Sequence, residues 1–260
     1  MADDIPTGTM SNDDPSVRFH MQTEIAAESP TLIEGLPGLG LVASIAVDQI
    51  TKQLGLELHG SIVSEDFPPV TSFNDGRVRD TVRVYAGEDP AVMTLQSDVP
   101  IPPSAVESLS QCVLQDLADE FDRAVFLAGA PAESEEQLGE VSGVATTDEL
   151  EEAITGAGIT LAEGTGTIGG VTGALVNDCY HADIPAAVLI VRSNPYIPDP
   201  SAARDVIEEA LEPLVAFDID TEELLEQAEE IQRQKQQIAE LLQQYQQDDT
   251  EPRQTAGMFQ

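Results

Sequence analysis

Thr31-Leu-Ile-Glu-Gly35-Leu-Pro-Gly38-Leu-Gly40-Leu-Val42 reads as three pieces in succession. Thr31 to Ile33 opens a short apolar strand, Gly35 to Gly40 turns the chain, and a helix follows whose apolar face is Val42, Ile45, Ala46, Ile50 and Leu54. Strand, glycine turn and helix form the opening of an α/β unit. A glycine turn leading into a helix also offers free N–H groups to a phosphate. The spacing here is G-x-x-G-x-G, however, with no Gly-Lys-Ser/Thr after it. The cation that a phosphate loop needs is missing, so a tight structural turn around Pro37 is the better reading.

Working outward, further strands are expected at Ser61–Ser64, Val82–Tyr85, Ala91–Leu95, Ala124–Ala128 and Ala186–Val191. The last two are near-continuous apolar runs, as in central strands covered on both faces. Helices fall between them. One opens at Pro102 and carries Val106, Leu109, Val113 and Leu117 on one face. Thr146-Thr-Asp-Glu149 has the pattern of a capping box, and Asp199-Pro200 that of an N-cap followed by proline at the first helical position. The alternation predicts a single three-layer α/β/α domain over residues 17–217. Residues 1–16 are acidic and broken by Pro6, Gly8 and Pro15, a composition expected to stay disordered as a leader.

Beyond residue 217 the composition turns to Glu and Gln. A helix over 218–247 repeats Leu224, Ile231, Ile238 and Tyr245 at intervals of seven, with Ala228, Lys235 and Leu242 four residues after the first three. This is a coiled-coil-like seam with Lys235 as an unfavourable guest. The heptads fit an intersubunit coil and an amphipathic helix folded back on its own domain equally well. So short a seam needs one or the other for stability. Residues 248–260 form a flexible tail ending in Met258-Phe259-Gln260, where a hydrophobic residue, an aromatic and a free carboxylate make a plug for a pocket.

The chain has 260 residues, 48 of them acidic and 11 basic, a formal charge of −37. Such a surface repels phosphate backbones and anionic lipid, which argues against nucleic-acid and membrane partners. Only Lys52 and Lys235 are lysines, there is no tryptophan, and the acids are spread along the whole chain. At molar salt the Debye length falls to about 3 Å, so carboxylates can crowd a surface, and a halophilic origin is expected. With neither a signal-peptide pattern nor a long apolar span, the expected compartment is the cytoplasm.

Few residues suggest chemistry. Cys112 and Cys179 read as buried small residues, and Cys179 and His181 stand two apart on a helix, pointing away from each other. His20 and His59 are not in any metal-type spacing, so neither metal nor cofactor is expected. Asp66 and Asp98 each stand near prolines after a strand, where α/β sheets commonly carry sites. With Gly38 and Gly40 they define a candidate crevice for a small-molecule or nucleotide-binding enzyme, the alternative to a binding protein.

Several segments together resemble one family. Leu32 to Val42, Asp66-Phe-Pro-Pro69, Ser97-Asp-Val-Pro-Ile-Pro-Pro103, Gly143-Val-Ala-Thr146, Ile168-Gly-Gly170 within Gly164–Gly173, and Pro198-Asp-Pro200 are similar to the archaeal proteasome assembly chaperones, over residues 17–245. The resemblance implies a phosphorylase/hydrolase-like α/β/α core with a C-terminal helix. It also implies a homo-oligomeric chaperone-like protein that is not an enzyme and whose partner is the α subunits of the proteasome core. Met258-Phe259-Gln260 resembles the family's terminal hydrophobic-tyrosine-any motif, with Phe259 in the tyrosine position.

Overall fold

A computed structural model describes residues 17–25 and 27–234. The leader over 1–16, the seam positions Lys235, Ile238, Leu242 and Tyr245, and the plug Met258-Phe259-Gln260 lie outside the described residues.

Strand β2 (Thr31–Gly35) forms where the apolar run places it, and all five of its residues are buried. It pairs in parallel with β7 (Ala91–Ser97) on one side and β8 (Arg123–Pro131) on the other, and β8 pairs in parallel with β11 (Ala186–Ser193). Antiparallel strands extend the sheet beyond β7, first β6 (Val82–Glu88), then β3 (Glu57–Ser64), then β1 (Val17–Met21) at the edge. Beyond β11 come β9 (Val141–Ala145), antiparallel to it, and the short β10 (Thr160–Leu161). Among the described residues nine strands thus form one mixed sheet with β2 at its centre.

Period-two alternation along the central strands divides the core into two layers. Ile33, Val125, Leu127 and Leu189 face the layer of α1 (Val42–Gln53), α3 (Asp148–Gly156), α5 (Pro200–Val206) and α6 (Glu212–Val215). Leu32, Ala124, Phe126 and Val188 face α2 (Val106–Cys112) and α4 (Gly170–His181). This is the three-layer α/β/α arrangement expected from the alternation of elements. Leu109, Val113 and Leu117 are fully buried as their spacing requires, the last two in a π-helical turn that continues α2.

The first layer depends on Gly35. A Cβ built there would lie 2.4 Å from the Cβ of Val47 in α1, so the missing side chain is what lets helix and strand approach. Overpacking of this kind costs about 1–3 kcal/mol. We expect Gly35→Ala to lose about that much, read as a lower urea midpoint at unchanged slope.

Two helix starts differ in how they match the sequence. Asp199 caps α5, its carboxylate accepting the Ala202 N–H at 3.2 Å with Pro200 at the first position, as expected. The capping box at Thr146 is displaced by one residue. Thr147 caps α3, its hydroxyl accepting the Leu150 N–H at 3.3 Å, because the Thr146 hydroxyl is engaged by the Ala186 N–H at 2.8 Å in the sheet.

Apart from the main sheet, β4 (Ser72–Asn74) and β5 (Arg77–Arg79) form a hairpin on which Phe73 and Val78 face each other, 74% and 77% exposed. Helix α7 (222–234) follows α6, and Leu224, 2% exposed, belongs to the same cluster as Phe217 and α1. Among the described residues no helix is long and apolar enough to cross a membrane.

Candidate functional site

The four parallel strands end on one side of the sheet. From β2 the chain leaves through α1 toward β3, whereas β8 leads to β9 on the opposite half, so the connections diverge at the sheet's centre. Crevices outside such a divergence are the usual ligand sites of α/β sheets. Here the Gly35–Gly40 loop lies over it. Gly40 has φ +65°, and a Cβ on it would be 2.8 Å from the Ser193 hydroxyl. Its carbonyl accepts the Asp199 N–H at 2.9 Å. The loop is therefore fastened to β11 and to the start of α5, which is the behaviour of a structural turn. Between it, the end of β8 and the start of α4 remains a cavity of about 230 Å³, lined by Gly38, Gly129, Gly169 and Thr172 among others.

Beneath that cavity lies Glu34, 0% exposed on the central strand. One carboxylate oxygen accepts the Leu36 N–H at 2.8 Å and the other the Thr172 hydroxyl at 3.3 Å. Burial pushes the carboxyl up to about 7, against hydrogen bonds from Leu36, Thr172 and the Leu127 backbone that favour its charge. Glu34 thus clamps the glycine turn to α4. Its signal in the sequence is an acid between Ile33 and Gly35 in a strand that is otherwise apolar or small.

The four residues of the sequence-derived crevice do not share one cavity. Gly38 lines the small cavity above, and Gly40 packs on Ser193. Asp66 is exposed in the turn after β3, its own N–H donating to the Ser64 hydroxyl at 3.0 Å. Asp98 follows β7 and accepts two hydrogen bonds from Arg83, at 2.6 and 2.8 Å, and one from Arg79 at 3.1 Å. Burial would raise the Asp98 carboxyl; the hydrogen bonds from Arg83 and Ser72 and the charges of Arg83 and Arg79 outweigh it and hold it below the usual range. A carboxylate so engaged serves structure better than proton transfer. Arg79 and Arg83, which sequence reasoning missed, reach Asp98 only because the antiparallel β6–β7 pairing sets Val82 opposite Ser97.

Cys112 and Cys179 are buried, and burial pushes each thiol up to about 12. On α4, Cys179 faces the core while His181 is exposed, so the two form no nucleophilic pair.

The root of α7 is held by several contacts. The Gln49 amide donates to the Asp220 carbonyl at 2.7 Å, the Glu222 N–H to the Asp220 carboxylate at 2.8 Å, and Thr221 and Glu208 hydrogen-bond through their side chains. Of the predicted seam, Leu224 is sunk in the domain, and Ala228 and Ile231 are half-buried along a groove of about 430 Å³ that also includes Ile197 and Pro198.

The sequence profile of the PAC2 family matches residues 32–239. The chain belongs to the PAC2 family. Solved structures share the fold of this PAC2 chain. Pyrococcus furiosus PbaA, described as an archaeal homolog of proteasome-assembly chaperone, superposes with a TM-score of 0.78 at 25% identity over 89% of this chain and 95% of its own. PbaB of the same organism, described as an archaeal proteasome activator, shares the fold with a TM-score of 0.79 at 18% identity, over 87% of this chain and 100% of its own. A sequence from Methanocaldococcus jannaschii, described as uncharacterized, is 29% identical over 226 residues, 86% of this chain and 92% of that one.

Proposed function

We propose that this PAC2 protein is a chaperone-like binding protein of the cytoplasm that acts as a homo-oligomer and engages the proteasome core α ring or its assembly intermediates. The similarity to PbaA over nearly the whole of both chains carries this reading. The site supports it from the other direction: the acids near the strand ends are tied into a clamp and an ion-pair cluster, and the sequence lacks a nucleotide-loop cation. Binding without catalysis needs neither.

The contact is made by Met258-Phe259-Gln260, whose hydrophobic residue, ring and terminal carboxylate fill a pocket between ring subunits. Several tails on one oligomer add avidity where their spacing matches the pockets. With a charge of −37 and a halophilic cytoplasm, long-range steering is screened and short-range contacts of this kind must hold the partner.

Deleting residues 258–260 is expected to reduce co-sedimentation with the proteasome core at molar KCl by at least tenfold. Unchanged binding would sink the tail mechanism. Phe259→Tyr restores the hydroxyl that the family motif carries and is expected to tighten binding by about 1 kcal/mol, roughly fivefold.

A further inference from the structure

We propose that the cavity between α1, α7 and the carboxyl ends of β2 and β7 binds a small organic anion, a carboxylate or phosphate on an apolar body. The cavity measures about 470 Å³, within the range of small-molecule sites, and lies outside parallel strand ends where α/β sheets place them. It is separate from the smaller cavity above Glu34, being on the α1 side of the sheet.

The chain has 11 cations against 48 acids, and Lys52, Arg79 and Arg83 all line this one cavity. Asp48 and Asp98 line it too, and the Glu223 carboxylate acts on Lys52 from beside it, so the cavity gathers three cations and is near balance in a strongly negative protein. A recess with three cations on such a surface admits an anion that the acidic surface around it repels.

Arg83 is engaged through all three of its nitrogens, giving N–H groups to Asp98, the Asp80 and Thr81 carbonyls and the Tyr85 hydroxyl. Arg79 is not. One Nη donates to Asp98, while its Nε is buried with no partner. The Ser44 hydroxyl, on another residue lining the cavity, is likewise buried with no partner. Lys52 meets Asp48 at 2.6 Å in a half-exposed pair, which leaves an ammonium with donors to spare. Buried donors without partners are costly, and two at one cavity call for an acceptor. Ile45, Pro100 and Leu224 supply apolar wall for the rest of the molecule.

The test is calorimetric titration of the full chain at constant ionic strength with two probes, sodium hexanoate and inorganic phosphate. At least one is expected to bind saturably, hexanoate alone assigning the carboxylate class and phosphate alone the phosphate class. Lys52→Gln and Arg79→Gln should each weaken that binding at least tenfold. Both residues are partly exposed, so the variants are expected to fold, and an unchanged circular-dichroism melt verifies it. Arg192→Gln, away from this cavity, should bind as the parent does. Saturation by neither probe, or affinity unchanged in both cavity variants, would overturn the proposal. Because residues 258–260 are untouched, its failure leaves the proteasome reading standing, and the reverse.

Discussion

Glu34→Gln is expected to raise the unfolding free energy by about 3 kcal/mol at pH 8 and to leave it nearly unchanged at pH 4.5. The folded carboxyl sits at about 7, above its ordinary value of 4.5, because burial disfavours the charged form. Between those two values the folded state holds a proton that the unfolded state has released, so stability falls as pH rises through that window and is level above it. A displacement of this size corresponds to about 3 kcal/mol at about 1.4 kcal/mol per pH unit. Glutamine keeps the shape and an acceptor for the Leu36 N–H, and it carries no charge to bury. Urea unfolding of parent and variant at pH 4.5 and pH 8, both in molar salt, measures the difference directly. Equal pH slopes for the two proteins would show that the folded Glu34 carboxyl titrates at its ordinary value, as a solvated one does.

Asp98→Ala is expected to cost about 3–5 kcal/mol. The Arg83 side chain is only 4% exposed, and Asp98 is its sole carboxylate partner among the described residues. Removing the acid leaves a buried guanidinium with carbonyl and hydroxyl acceptors but no countercharge, the situation in which breaking an ion pair is expensive. Molar KCl should not restore the loss, because ions screen exposed charges far better than buried ones. The double variant Arg83→Met/Asp98→Ala should regain most of it, since apolar replacement of a whole buried pair is often neutral. Melting temperatures of the two single variants and the double variant give the coupling. A loss below about 1 kcal/mol for Asp98→Ala would mean that the pair behaves as a surface one.

The centre of the fold was legible because its strands are covered on both faces. Ala124–Ala128 and Ala186–Val191 are apolar throughout, and the Gly35–Gly40 punctuation marks where β2 stops and α1 begins. The edges were not. β1 and β10 each have a neighbour on one side only, and β4 and β5 pair only with each other, so their sequences are half polar and lack a run to detect. The site divides in the same way. The turn at Gly38 and Gly40 follows from local chemistry. The Arg79, Arg83 and Asp98 cluster follows from the register of an antiparallel pair, and Glu34 acquires its Thr172 partner from a helix that begins more than 130 residues later. Long-range pairing of this kind leaves no local signature. The family, by contrast, was legible from short motifs whose purpose is structural, such as Pro198-Asp-Pro200 at the start of α5.

The two core layers also differ in when a ribosome can complete them. The layer of α2 and α4 has its last strand partner once β11 is made, whereas the apolar face of α1 is closed by Leu211, Leu214, Phe217 and Leu224. About 170 residues must be added after α1 before that cover exists, roughly ten to thirty seconds at ordinary elongation rates. During that interval the nascent chain carries an uncovered apolar helix beside the central strand. Its vulnerable period is set by the distance along the gene between the two halves of one layer.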